Sequence, residues 1–224
     1  MKKKSILWAG LFCCFVCVNA LHAQLRYGLK AGVVLADMPF NATDEFYYNG
    51  IVFQEGGNPR MTFLAGGIAE LDLRRNWTLS VELQLSGKGY LEKGNGVTSD
   101  FEEYAARLWY VQLPVAANFR WSGFFMGAGP YAGIGLAGKI KATRATAVDN
   151  FSVAFGNDEE SDLRRFDAGV YVQIGYSFRN FRLSFGGQFG LTNAIPAFYA
   201  NSTQFKARQQ SMSVAAAYYF GAGE

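Results

Sequence analysis

From Arg165 to Leu191 the chain alternates apolar and polar positions, pauses for two residues, and alternates again. Phe166, Ala168, Val170, Val172, Ile174, Tyr176 and Phe178 fall on one face. Arg165, Asp167, Gly169, Tyr171, Gln173, Gly175 and Ser177 fall on the other. After Arg179-Asn180 the pattern resumes, with Phe181, Leu183, Phe185, Phe189 and Leu191 set against Arg182, Ser184 and Gln188. A period of two belongs to β-strands, and two such runs joined by a two-residue polar break read as a hairpin. Each run can cross a bilayer as a tilted strand, which takes about 9–11 residues.

The same alternation predicts eight strands, over 25–36, 61–73, 77–88, 107–120, 123–138, 165–178, 181–192 and 205–220. Arg74-Arg75-Asn76, Trp121-Ser122 and Arg179-Asn180 read as tight turns. The links near 37–60, 89–106, 139–164 and 193–204 are long, polar and rich in Asn, Asp, Gly and Glu. Short and long links alternate throughout, the layout of an outer-membrane barrel with short periplasmic turns and long extracellular loops. The expected fold is all-β: an eight-stranded antiparallel up-and-down transmembrane β-barrel. An even strand count puts both ends of the chain in the periplasm.

Alternation does not say which face is inside, since a soluble barrel would bury the apolar rows. Three features place lipid outside. The polar rows are mostly Gly, Ser, Gln and Ala, whereas a solvated exterior is rich in Lys and Glu. An eight-stranded lumen is only wide enough to be filled by side chains, and rows of Trp, Phe, Leu and Ile would overfill it. Aromatics also gather at strand ends: Trp77, Phe119, Trp121, Phe124, Phe178, Phe181 and Phe220 beside the short turns or terminus, and Phe63, Trp109, Phe166 and Phe205 beside the loops. Two aromatic girdles are what the two membrane interfaces select.

The N-terminus changes what chemistry is available. Lys2, Lys3 and Lys4, an apolar stretch from Ile6 to Val18, and Asn19-Ala20-Leu21-His22-Ala23-Gln24 form a secretory signal peptide. Residues 1–23 are the expected leader, with cleavage after Ala20 as the alternative, and 24–224 the barrel domain. Cys13, Cys14 and Cys17 leave with the leader, and so does His22 when the cut follows Ala23. The mature chain then has no thiol or imidazole, which excludes Cys nucleophiles, His bases and zinc sites built on them. Subtracting three leader lysines from 21 basic residues leaves 18 against 18 acidic ones, near neutrality. No basic patch calls for a nucleic-acid partner.

Proline cannot donate to a strand ladder, so Pro114 and Pro130 are irregular within their strands. With Trp121-Ser122 as the turn they lie almost opposite each other. Gly127, Gly129, Gly133 and Gly135 then face inward near Pro114, Gln112 and Tyr110, making room for Tyr110 and Tyr131. This hairpin, Trp109-Tyr110-Val111-Gln112-Leu113-Pro114-Val115 followed by Phe125-Met126-Gly127-Ala128-Gly129-Pro130-Tyr131-Ala132-Gly133, resembles the core of PorT-like outer-membrane β-barrel proteins. Arg165-Phe166-Asp167-Ala168-Gly169 and Gly28-Leu29-Lys30-Ala31-Gly32 are similar to the same family. The resemblance implies a single barrel in the outer membrane of one Gram-negative phylum. Most members have no assigned activity, and one branch is implicated in protein secretion. No catalytic residues come with it. One departure is the C-terminus, where Gly221-Ala222-Gly223-Glu224 follow Phe220.

Several constellations could carry chemistry. Gly133-Ile134-Gly135-Leu136-Ala137-Gly138-Lys139-Ile140 matches a dinucleotide fingerprint, but those glycines alternate within a strand and no helix follows. Arg26, Lys30, Glu70, Asp72 and Glu82 project into one narrow space, where charges must pair because desolvating a lone ion costs several kcal/mol. A salt-bridged plug is the expectation, and a carboxylate-based relay the alternative. Asn157-Asp158-Glu159-Glu160-Ser161-Asp162 could hold a hard cation but lacks regular ligand spacing, so a solvated loop is expected. Phe46, Tyr47, Tyr48 and Phe53 could contact a partner or glycan, or fold over the barrel mouth.

The expected function is that of a non-enzymatic structural or interaction component of the Gram-negative envelope, with no catalytic, cofactor-binding or metal residues and no cofactor. Its partners would be outer-membrane lipids and lipopolysaccharide, with other envelope or secretion proteins at the loops and no nucleic acid. The barrel is expected to be monomeric. The alternatives are a secretion-machinery component, a small diffusion pore and a membrane-embedded lipid-modifying enzyme.

Overall fold

The structure, a computed structural model, describes residues 25–41, 46–48, 51–53, 58–93, 103–143, 147–196 and 206–220. Eight long strands carry it: β1 (Leu25–Asp37), β2 (Asn58–Arg74), β3 (Trp77–Lys88), β4 (Glu103–Trp121), β5 (Phe124–Thr143), β6 (Phe166–Phe178), β7 (Phe181–Gly190) and β8 (Gln210–Phe220). Consecutive strands pair antiparallel, and β1 pairs with β8 from Tyr27↔Phe220 to Asp37↔Gln210. The sheet therefore closes on itself. Closure satisfies every ladder between neighbours, which a sheet in hydrocarbon requires because no water can pair a free edge.

The faces fall as the alternation requires. Leu29 and Leu83 are 61% and 59% exposed on the outside, whereas Glu70 and Glu82 are 0% and 1% exposed in the lumen. On β4 the outward aromatics Phe119 and Trp109 stand ten residues apart. At ~3.4 Å per residue and a tilt of roughly 40°, that is about 26 Å along the barrel axis, close to the apolar band of an outer-membrane barrel. Both girdles contain packed aromatic pairs. Trp77 meets Phe119 with ring centroids 5.4 Å apart near the short turns, and Phe63 meets Trp109 at 4.9 Å near the long links. Phe205 lies outside the described residues.

Two details depart from the expected turns. The β4–β5 turn is Ser122-Gly123, not Trp121-Ser122, because Trp121 pairs with Phe124. Ser122 and Gly123 have φ of 49° and 87°. The two-residue turn that matches strand twist needs positive φ at both central positions, which Gly123 adopts without strain and a tryptophan would not. Pro114 consequently faces Tyr131 rather than Gly129, and Pro130, still one residue from opposite, points outward beside Val170. Likewise Arg74 is not in the turn. It pairs with Trp77 after a bulge between Asp72 and Arg74.

A second bulge, between Trp109 and Tyr110, reshapes the β4–β5 pair. Trp109 faces Ala137 while Tyr110 faces Gly135, leaving Leu136 as the extra residue. Leu136 and Ala137 both point outward, so the alternation of β5 inverts from there on. Ile140 and Ala142 turn inward, and Lys139 and Lys141 turn out. The last expected strand also divides. Lys206–Ala207 forms a short ladder with Phe40–Asn41, separate from β8.

Candidate functional site

The lumen is filled by polar side chains arranged in tiers along the barrel axis. Nearest the short turns, Glu70 is gripped by Arg26 from β1 and Arg182 from β7, with Arg120 Nη1 at 3.6 Å. Arg120 also donates to Asp72 Oδ1 at 2.5 Å. The Arg182 guanidinium lies 4.2 Å from the centre of the Phe125 ring. One carboxylate with no exposure thus collects cations from three strands.

In the middle tier, Lys30 Nζ donates to Glu82 Oε2 at 2.8 Å and to the Tyr171 hydroxyl at 3.1 Å. Tyr171 passes the chain on, donating to Gln173 Oε1 at 3.1 Å. Gln173 Nε2 donates to Asn118 Oδ1 at 2.7 Å, and Asn118 Nδ2 to Ser80 Oγ at 3.0 Å. Above it, Gln112 Nε2 donates to Gln188 Oε1 at 3.1 Å. Lys88 Nζ then donates to Asp167 Oδ2 at 2.7 Å. Asp167 accepts two further bonds, from the Tyr131 hydroxyl at 3.0 Å and Thr192 Oγ1 at 2.9 Å. The Lys88 ammonium also faces the Tyr131 and Tyr110 rings at 4.9 and 5.6 Å.

An apolar layer closes the lumen at the loop end. Met38, Tyr90, Leu108, Tyr110, Ile140, Val153, Leu163 and Ile195 form one buried cluster. Phe155 packs edge-on against Tyr110 with centroids 5.7 Å apart. The backbone ties this lid down: Gly156 N donates to Leu163 O at 3.0 Å, Arg164 N to Ala194 O at 2.7 Å, and Ala194 N to Ala207 O at 2.8 Å. The close fit needs a glycine at position 135, where a Cβ would come within 2.7 Å of the Phe155 ring.

The five inner charges named from sequence all reach the lumen, in two separate groups. Arg26, Glu70 and Asp72 share one network, and Lys30 with Glu82 forms another. Arg120, Arg182, Lys88 and Asp167 complete the pairing and were not among them. Their signal was the polar-face phase of their own strands. Three residues from the stretches that carry the family resemblance, Tyr110, Tyr131 and Asp167, surround Lys88, while Lys30 of a fourth stretch pairs with Glu82.

Other candidates resolve differently. Gly133–Ile140 lies wholly within β5 and has no helix after it. In the acidic loop, Asp158 accepts from Ser161 and Asp162 Oδ2 from Ala154 N at 2.7 Å. Among the described residues, no group of three or more His, Cys, Asp or Glu is placed to hold a metal ion. Phe46–Tyr48 and Ile51–Phe53 form a small hairpin, but the side chains of Phe46, Tyr47, Tyr48 and Phe53 lie outside what is described. The leader also lies outside the described residues.

Residues 20–195 match the family model described as outer membrane protein beta-barrel domain. The chain belongs to that family. It is an outer-membrane β-barrel protein. Among solved structures it is similar to Neisserial surface protein A, at 9% identity and a TM-score of 0.45 over 87% of this chain and 97% of that one. It is also similar to Ail, the attachment invasion locus protein of Yersinia pestis, at 9% identity and a TM-score of 0.43 over 88% and 99%. A Pseudomonas aeruginosa FadL homologue matches at 11% identity and a TM-score of 0.32, over 74% and 43%. None of the curated proteins matches the chain.

Proposed function

We propose that this outer-membrane barrel is a non-enzymatic anchor that displays its long links as an interaction surface at the cell exterior. The chain would be exported by the 1–23 leader and stand as a single barrel among outer-membrane lipids and lipopolysaccharide, with both ends in the periplasm. The observation that carries this reading is the filled lumen. The ion pairs Lys30–Glu82 and Lys88–Asp167 span it, and the cluster around Tyr110 and Leu163 caps it. Buried paired charges and a packed lid favour rigidity over passage. Lys30 and Glu82 occupy one another and the carboxylate Glu70 is ion-paired with Arg26 and Arg182, which favours a structural role over proton relay. Cross-linking on intact cells from cysteines placed in the long links, and separately in the short turns, followed by purification, tests the reading. A stoichiometric envelope-protein adduct is expected, and adducts only from the short-turn side would overturn it. Single-channel conductance in planar bilayers would revive the diffusion pore.

A second reading, a component of a protein-secretion machine, draws support from the PorT-like residues. Three of them, Tyr110, Tyr131 and Asp167, converge on Lys88 inside the lumen, where they serve packing rather than contact. An assembly that co-purifies with envelope secretion proteins would favour this reading.

A further inference from the structure

Above the loop-side aromatic girdle, the outer wall of the barrel carries a group of cations that outnumbers the one carboxylate among them, Glu103. Arg107 on β4 and Lys139 on β5 stand directly opposite each other, with Lys141 two residues further along the same face. Like charges facing across a strand pair repel, so the sequence keeps them against a local cost. None of Arg107, Lys139 and Lys141 has an ion-pair partner among the described residues. Arg60 on β2 joins them, its guanidinium donating to Ala106 O at 3.4 Å. Together with Glu103 these four cations line one cleft of about 430 Å³. That lies within the ~300–1,000 Å³ of small-ligand sites.

The position is set by the chain itself. The bulge at Leu136 inverts the phase of β5, and without it Lys139 and Lys141 would face the lumen while Ile140 and Ala142 faced outward. Bulges that re-aim side chains are features of barrel rims rather than defects. Arg107 precedes the outward Trp109 by two residues, about 7 Å at strand rise. The cations therefore stand just beyond the hydrocarbon, at headgroup height. Basic pockets at that depth hold lipid headgroups, and phosphate accepts charge-assisted bonds from Arg and Lys.

We infer that this rim cleft is a binding site for the phosphate groups of a phosphorylated glycolipid, the lipid A part of lipopolysaccharide. The inference rests on the proposed orientation, which puts the long links, and so this cleft, in the outer leaflet. The Trp109–Phe63 pair below the cleft would meet the acyl chains while Arg107, Lys139, Lys141 and Arg60 hold phosphate oxygens.

The test uses folded, detergent-extracted protein and three probes: bisphosphorylated lipid A, the same lipid with its phosphates removed, and inorganic phosphate. Native mass spectrometry reads lipid retention. The unaltered protein should prefer the phosphorylated lipid at least tenfold. K139Q/K141Q, and separately R107Q, should lose that preference while keeping heat-modifiable gel mobility. Arg74→Gln/Arg179→Asn, at the opposite rim, should retain it. Equal retention of both lipids, or full preference in K139Q/K141Q, overturns the inference. Displacement of lipid A by low-millimolar inorganic phosphate would show a free-anion site and also overturn it. If these arms fail while exterior cross-linking still captures an envelope partner, only the lipid site falls. If cross-linking places the long links in the periplasm, the orientation falls, whatever the lipid result.

Discussion

The Lys88 ammonium lies 2.7 Å from Asp167 Oδ2, joining the loop ends of β3 and β6 across the lumen from positions 79 residues apart in sequence. Both side chains are almost wholly buried, at 1% and 4% exposure. Removing one partner of such a pair leaves an unpaired buried charge and costs ~3–5 kcal/mol, whereas replacing both with apolar groups costs far less. Lys88→Met and Asp167→Asn should each lower the urea midpoint of the vesicle-inserted barrel strongly. The Lys88→Met/Asp167→Leu double variant should fall less than the sum of the singles. Some cost should remain in the double, because Tyr131 and Thr192 lose their acceptor. A gel-mobility unfolding series measures all three.

Glu70 and Asp72 separate two kinds of carboxylate on one strand. Glu70 has no exposure and faces three arginines, while the Asp72 side chain is 41% exposed. Glu70→Gln should lower the unfolding temperature by many degrees by stranding Arg26 and Arg182. Asp72→Asn should cost under about 1 kcal/mol, as half-solvated pairs do. Thermal gel-shift midpoints of the two variants decide it, and equal losses would contradict the tiered lumen.

The lid depends on a missing side chain. Valine at position 135 would collide with the Phe155 ring and push it off Tyr110. Gly135→Val should expose the 153–163 segment to protease on the folded barrel while the gel-shift midpoint moves little. Cleavage no faster than in the unaltered protein would show that Phe155 does not seal the mouth.

How much of this was legible in the sequence differs by level. The eight strands and their facing followed from alternation, since a period of two leaves a strand only two ways to turn and lipid selects one. Phe166 to Phe178 behave that way at every outward position. Arg26, Lys30, Glu70, Asp72 and Glu82 could be placed inside for the same reason. Their partners could not, because pairing across a lumen depends on shear and register. Asp167 was visible on the polar face, but nothing local joins it to Lys88. The β4–β5 register differs from the expected one because Trp121 still pairs with Phe124, which moves the turn one residue on to Ser122-Gly123. The Leu136 bulge left no periodic signal beyond two adjacent outward residues. The lid was hidden because Val153 and Ile195 belong to short apolar stretches, and Leu163 stands alone, within links that read as polar.

A lipid-facing charge tests the outer wall. Leu83 stands near mid-strand on β3, and an arginine there should cost about 2–4 kcal/mol, the depth-dependent penalty at the bilayer midplane. Leu83→Arg should therefore lower the urea midpoint in vesicles while leaving a solubilised, folded fraction in detergent. A variant as stable as the parent in vesicles would contradict lipid contact at this position.

The facing of the strands is tested most directly by spin-label accessibility along β6. The mature chain expected after leader removal has no cysteine, so single cysteines can be placed at each position from Val170 to Tyr176 and labelled in lipid vesicles. Labels at 170, 172, 174 and 176 should be open to lipid-dissolved oxygen, and labels at 171, 173 and 175 shielded from it. Inverted alternation, or uniform access to a water-soluble relaxant, would contradict a barrel with apolar rows on lipid and paired charges within.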